Sequence, residues 1–172
     1  IKVIVDVVAN HLANQTGNDL SSEIPEQLKA PAFWHNITTN ITDYADRYQC
    51  TQQCMGGLPD LNTHNAQLQK MVLDFLCQCV DMGVDGFRID TAGHIPRLSF
   101  NKNFLPQLIA ASETPEAKAK RGNPPFFMFG EVCARSMEVI YRGANYNCSP
   151  CYYTWKESKD YAWDYDPKSW DS

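Results

Sequence analysis

Three apolar runs in this chain each end on an acid. Ile1-Lys2-Val3-Ile4-Val5-Asp6 continues into Val7-Val8-Ala9-Asn10-His11, Gly86-Phe87-Arg88-Ile89-Asp90 closes on a carboxylate, and Phe126-Phe127-Met128-Phe129-Gly130 leads into Glu131. Residues 1 to 8 are almost uniformly apolar and rich in β-branched side chains. That is the pattern of a parallel strand covered on both faces, and it predicts a central strand. From Leu12 to about His64 the chain turns polar, with Pro31, Gly56-Gly57 and Pro59, and shows no sustained helical or strand period. Loops within a compact domain are far shorter, so this stretch predicts an inserted subdomain with a functional role. Leu68, Met71, Val72, Phe75, Leu76, Cys79 and Met82 then recur at three- and four-residue steps, predicting one apolar helix face with Gly83 as its stop. A strand is expected over 84–90, a weaker helix over 104–111 and a further strand over 126–132. Strands alternating with helices imply right-handed crossovers and a parallel sheet, either doubly wound or closed as a barrel. From Ser136 on, aromatic and polar residues mix without a period, through Tyr152-Tyr153-Thr154-Trp155 to Trp163 and Trp170. This reads as surface loop with packed aromatics in preference to a sugar-stacking platform.

Composition narrows the classes. With 172 residues, 44% of them hydrophobic and 20% charged, the chain can bury a core. Its net charge of -5 and lack of clustered Lys and Arg argue against a nucleic-acid partner. No run approaches the roughly 18 apolar residues that span a bilayer, so no membrane anchor is expected. The first residues carry no Met, basic leader or cleavage site, which predicts that the natural protein begins upstream. The seven cysteines include close pairs at Cys50/Cys54, Cys77/Cys79 and Cys148/Cys151, open to disulfide or zinc readings. Only Cys148-x-x-Cys151 has the common zinc spacing, and zinc is the lesser expectation. Asn14-Gln15-Thr16, Asn36-Ile37-Thr38 and Asn40-Ile41-Thr42 are glycan acceptor triplets that settle nothing by themselves.

In an α/β barrel the C-terminal ends of the strands form the active-site face, and Asp6, Asp90 and Glu131 are all expected there. Arg88 lies two residues from Asp90 and therefore on the same strand face, where it should hold that carboxylate ionised. The apolar residues before Glu131 predict a desolvated setting that favours a neutral, proton-donating acid.

These residues resemble the alpha-amylase family of glycoside hydrolases. Asp6-Val7-Val8-Ala9-Asn10-His11 is similar to its first signature, Gly86-Phe87-Arg88-Ile89-Asp90 with His94 to its second, and Gly130-Glu131-Val132 to its third; Leu58-Pro59-Asp60-Leu61-Asn62 resembles an additional motif near the end of an inserted domain. The resemblance implies an α/β fold: part of a (β/α)8 TIM barrel carrying its third to fifth strands. The divisions would be residues 1–11 as a barrel strand, 12–64 as the inserted, calcium-associated subdomain and 65–172 as a barrel segment with two further strands and a C-terminal loop region. It implies Asp90 as nucleophile, Glu131 as acid/base, His11, Arg88 and His94 as substrate-binding residues and Asp6 as structural support. It also implies Ca2+ as cofactor, held by Asn10, Asp60 and the backbone carbonyl of His94; an α-glucan substrate; and a secreted parent. The family's fourth signature has no counterpart before Ser172, so the third catalytic acid is expected outside this chain. Two departures bear on specificity: Gly93 stands where many members carry Lys, and Asn62 where many carry Asp. The function implied is a fragment of a retaining alpha-amylase. The alternatives are a related α-glucosidase or cyclodextrin or oligosaccharide hydrolase and, from another class, an inactive amylase-like scaffold.

Overall fold

The structure, a computed structural model, describes residues 1–13, 24–44, 46–96, 99–132, 139–141, 144–146 and 151–154. Strand β1 (Ile4–Val8) is followed by an insertion with 3-10 turns at Glu26–Leu28 and Pro31–Phe33 and the short helix α1 (Arg47–Gln52). The long helix α2 (Ala66–Met82) leads to β2 (Gly86–Asp90). After a 3-10 turn at Ala92–His94 and a π-helical turn at Ser99–Phe104 come α3 (Leu105–Ser112), α4 (Pro115–Arg121) and β3 (Phe127–Val132). The short strands β4 (Val139–Tyr141), β5 (Ala144–Tyr146) and β6 (Cys151–Thr154) follow.

Local chemistry sets the helix ends. The Asn65 side chain accepts from the N–H groups of Gln67 and Leu68 and caps α2, while Gly83 ends it in the left-handed region at φ 94°. Helix α4 escaped the periodicity reading because alanines supply its apolar positions. Its punctuation is complete, however: Thr114 caps, Pro115 opens and Gly122, at φ 78°, closes.

The main sheet runs in the order β1-β2-β3-β6. Strands β1, β2 and β3 are parallel, as expected of repeated β-α units, and their register aligns Asp6 with Arg88 and Arg88 with Phe129. β6 joins antiparallel to β3. Within the stretch expected as loop from Ser136 on, the described residues form strands over 139–141, 144–146 and 151–154. The aromatics Trp155, Trp163 and Trp170 lie outside the described residues, as do Asn14 and Cys148.

One face of the sheet packs on the helices. Val7, Phe87, Ile89 and Met128 join Leu73, Leu76 and Val80 of α2 and Phe104 and Leu108 around α3 in a single core, with Phe87 and Leu108 fully buried. The opposite face is open, leaving Ile4, Val8 and Phe127 at 41–48% exposure. The double coverage expected for residues 1–8 is therefore absent: the strand begins at Ile4, forms the sheet edge and buries only Val7 well. Gly86 permits close strand approach, since a Cβ there would lie 1.9 Å from the Phe127 carbonyl oxygen.

Ile24, Phe33, Trp34 and Leu61 of the insertion form a second small core with Leu68 of α2. The insertion is tied to the end of β1 by Leu61 N–H to Asn10 carbonyl at 2.8 Å and Leu12 N–H to Pro59 carbonyl at 3.4 Å. Cys50 is not joined to Cys54 by a disulfide, nor Cys77 to Cys79. Among the described residues no group of three His, Cys, Asp or Glu side chains converges on a metal position, and no helix is long and apolar enough to cross a membrane.

Candidate active site

The open sheet face carries the polar cluster. Alternation along a strand places Arg88 and Asp90 of β2 on that side, while Phe87 and Ile89 enter the core. Register extends the cluster across strands: Ile89 pairs with Gly130, so the next rung sets Asp90 beside Glu131. Gly130 keeps the crossing close to the turn after β2, because a Cβ there would lie 2.6 Å from the Ala92 side chain.

Arg88 organises three carboxylates. Its Nη1 lies 2.6 Å from Asp90 Oδ1 and 2.8 Å from Asp6 Oδ1, and its Nη2 lies 2.7 Å from Glu131 Oε2. A planar guanidinium with donors fixed in a fork suits this arrangement, and the charge-assisted bonds are of the strong kind. Asp90 and Glu131 are each 20% exposed, while Asp6 is 64% exposed. Asp90 ends its strand and Glu131 is one residue from the end of its own, as expected. Asp6 departs from that pattern: it sits mid-strand, level with Arg88, and props the guanidinium from below. The setting of Glu131 also departs from expectation. Its neighbour is a guanidinium and not an apolar wall, because Phe127 and Phe129 share its face but leave the Arg88 fork within reach across the sheet.

His11 stands over this group with Nε2 4.0 Å from Asp90 Oδ2. Burial holds its pKa below the ordinary 6.5, opposed by the Asp90 charge, so the ring is biased towards its neutral form. Its Nδ1 is buried without a hydrogen-bond partner.

Directly after Asp90 the backbone is strained. Thr91 adopts φ 47° and ψ 37°, an outlier for a β-branched residue, and its hydroxyl is buried without a partner. The turn it opens brings His94 under the insertion, where the ring Nδ1 lies 2.8 Å from the Cys50 carbonyl oxygen and the ring edge meets Tyr44. The His94 side chain thus clamps the insertion to the sheet. The described contacts engage it with protein, whereas the resemblance implies contact with a sugar.

Asp60, expected with Asn10 and His94 around a cation, is 4% exposed. Its Oδ2 lies 2.5 Å from His35 Nδ1, and its Oδ1 has no hydrogen-bond partner. Asn10, 2% exposed, faces the same carboxylate and favours its charged form through a side-chain hydrogen bond. Burial pushes the Asp60 pKa up to about 6, against the opposing effects of His35 and Asn10. Sequence spacing gave no pointer to His35, 25 residues from Asp60.

The chain is similar in sequence and fold to known proteins. The family model for the alpha-amylase catalytic domain matches residues 1–156. An alpha-amylase of Clostridium acetobutylicum is 43% identical over 96 residues, covering 55% of this chain and 12% of that protein. One from Butyrivibrio fibrisolvens is 40% identical over 143 residues, covering 77% of this chain and 15% of that protein. This chain therefore spans only a small part of these relatives. Among solved structures, the alpha-amylase from Geobacillus thermoleovorans, complexed with acarbose, superposes with a TM-score of 0.56 at 26% identity, covering 78% of this chain and 26% of that one. The three strands with their helices correspond to part of the TIM barrel that such catalytic domains form. Sequence match, shared fold and the strand-end acids agree: the chain belongs to the alpha-amylase family.

Proposed function

We propose that the full-length protein is a retaining glycoside hydrolase that cleaves internal α-1,4 bonds of starch-like glucans. The observation that carries this reading is the single guanidinium shared by Asp90 and Glu131. Retaining hydrolysis requires two carboxyl groups about 5 to 5.5 Å apart, against about 6.5 to 9.5 Å for inversion, and two acids gripped by one Arg fork favour the closer spacing. Asp90 is the nucleophile: Arg88 orients it, and its attack on the anomeric carbon forms a covalent glycosyl-enzyme. Glu131 donates a proton to the departing glycosidic oxygen, then takes one from the incoming water. His11, biased neutral beside Asp90, is placed to donate a hydrogen bond to a sugar hydroxyl. Arg88 and Asp6 act by positioning.

The residues around Asp60 fit the family's calcium. A buried carboxylate with one orphaned oxygen, faced by an equally buried Asn10, supplies the hard oxygen donors this ion takes. Asn10, Asp60 and the His94 carbonyl would hold it. The bound ion would supply positive charge and a cross-link between the insertion and the strand ends. Gly93 and Asn62 bear on chain-length preference: Gly93 offers no side chain to the leaving-side sugar, and the Asn62 amide is committed to the Ala32 carbonyl at 3.3 Å.

The test is hydrolysis of soluble starch by the full-length protein, with the anomeric form of the first products followed by NMR. The expected result is α-configured oligosaccharides, with turnover lost in Asp90→Asn and in Glu131→Gln while the folded spectrum is kept. β-Configured products, or undiminished turnover in either variant, would overturn the reading.

A further inference from the structure

We propose that His35 is a positioning residue for the cation site: it fixes Asp60 through Oδ2 alone and thereby presents Oδ1 to the ion. The inference rests on the calcium reading above and goes beyond it, because His35 belongs to none of the groups assigned to that site.

His35 grips Asp60 twice. Its backbone N–H donates to the Asp60 carbonyl at 3.1 Å, and its ring Nδ1 lies 2.5 Å from Oδ2. A carboxylate only accepts, so Nδ1 carries the proton and donates it. Imidazole offers one donor in this direction, whereas a guanidinium would take both oxygens. One oxygen is therefore held and the other left over, buried and unpartnered. A buried carboxylate oxygen without a partner costs stability, so an oxygen retained in that state points to a partner of another kind.

The residues around His35 leave it little freedom. Trp34 bridges antiparallel to Leu61, and its Nε1 donates to the Leu28 carbonyl at 2.8 Å. Asn36, at φ 57°, donates its side-chain amide to the carbonyls of Pro31 and Trp34, both at 2.9 Å. His11 bridges to Asp60 from the other side, so three chain segments meet at this carboxylate. The ring side chain itself is 8% exposed. A merely structural histidine would serve the fold equally with or without the ion, and that difference can be measured.

Full-length protein stripped with EDTA is titrated with Ca2+ alone, and Kd is read by calorimetry together with the melting temperature of the calcium-free form. His35→Leu removes the donor. His35→Asn retains an N–H near the Nδ1 position. His35→Ser, which admits water beside Asp60, serves if the Leu variant does not fold. The expected result is a ten- to hundredfold rise in Kd for His35→Leu or His35→Ser, the range found when a partner that orients a ligand is lost, with most of the affinity regained in His35→Asn. An unchanged Kd in the donor-less variant, with a lower melting temperature in both the calcium-free and calcium-bound forms, would overturn the proposal and leave His35 structural. Absence of calcium binding in the wild type would overturn the calcium reading and this inference with it. Binding in the wild type that vanishes in Asp60→Asn but survives in His35→Leu would overturn the inference alone.

Discussion

Arg88 carries more of this site than any other residue. One side chain fixes Asp90 on its own strand and Glu131 on the next, with Asp6 beneath. The Arg88–Asp90 pair was readable from the chain, because residues two apart on a strand share a face. The Arg88–Glu131 pair was not, since it depends on strand register across 43 positions. His35 on Asp60 was likewise hidden, because it forms only once the insertion has folded. His11 gives the residue scale its pH test. Its folded-state pKa lies below 6.5, so as pH falls below that value the unfolded chain takes up the proton first. Stability contributed by the neutral ring is therefore complete above about pH 6.5 and is lost as pH falls through the lower folded value. Denaturant unfolding of the full-length protein across this window should show a shallower acid-side loss in His11→Gln than in the wild type. Equal slopes would mean that His11 is not held neutral.

At the scale of elements, the local patterns that predicted most were helix punctuation and strand alternation. Helix α2 lies where the 3.6-residue period placed it, between Asn65 and Gly83. Helix α4 shows the limit of that signal: its caps were in plain view, but Ala117 and Ala119 give too little hydrophobic contrast for a period. Strand β1 shows a second limit. Its sequence suits burial on both faces, and the described residues supply a cover for only one of them. Close strand approach is the feature most open to mutation. A Cβ at Gly86 would meet the Phe127 carbonyl at 1.9 Å, a backbone atom that cannot swing aside. Gly86→Ala should destabilise the full-length fold by about 1–3 kcal/mol, the usual cost of overpacking, and should weaken catalysis by spreading β2 from β3. Chemical denaturation and turnover measured together would check this, and an unchanged midpoint would show that the strands can separate without cost.

At the scale of the whole molecule, the sheet is finished on one face only. Helices α2 and α3 cover Phe87 and Ile89, while the acids and the apolar side chains of Ile4, Val8 and Phe127 line the open side. In a closed barrel that side would be the interior, and the family assignment supplies the reason the exposed apolar residues are there. Among the described residues that apolar face is uncovered and the edge of β1 has no partner strand, which favours association over a stable monomer. The isolated 172-residue chain should therefore show no starch hydrolysis and no sharp monomeric melt. Turnover by the purified chain, or a cooperative transition at the mass of a monomer, would contradict this.

The proposed activity turns on Asp90 forming the bond to the sugar. Full-length protein incubated with a slow fluorinated α-glucosyl donor, then digested and mapped by mass spectrometry, tests it directly. A single glycosyl adduct is expected on the peptide that contains Asp90, absent from Asp90→Asn. An adduct on Glu131 or on another carboxylate, or full turnover of the donor with no adduct at any time, would contradict it.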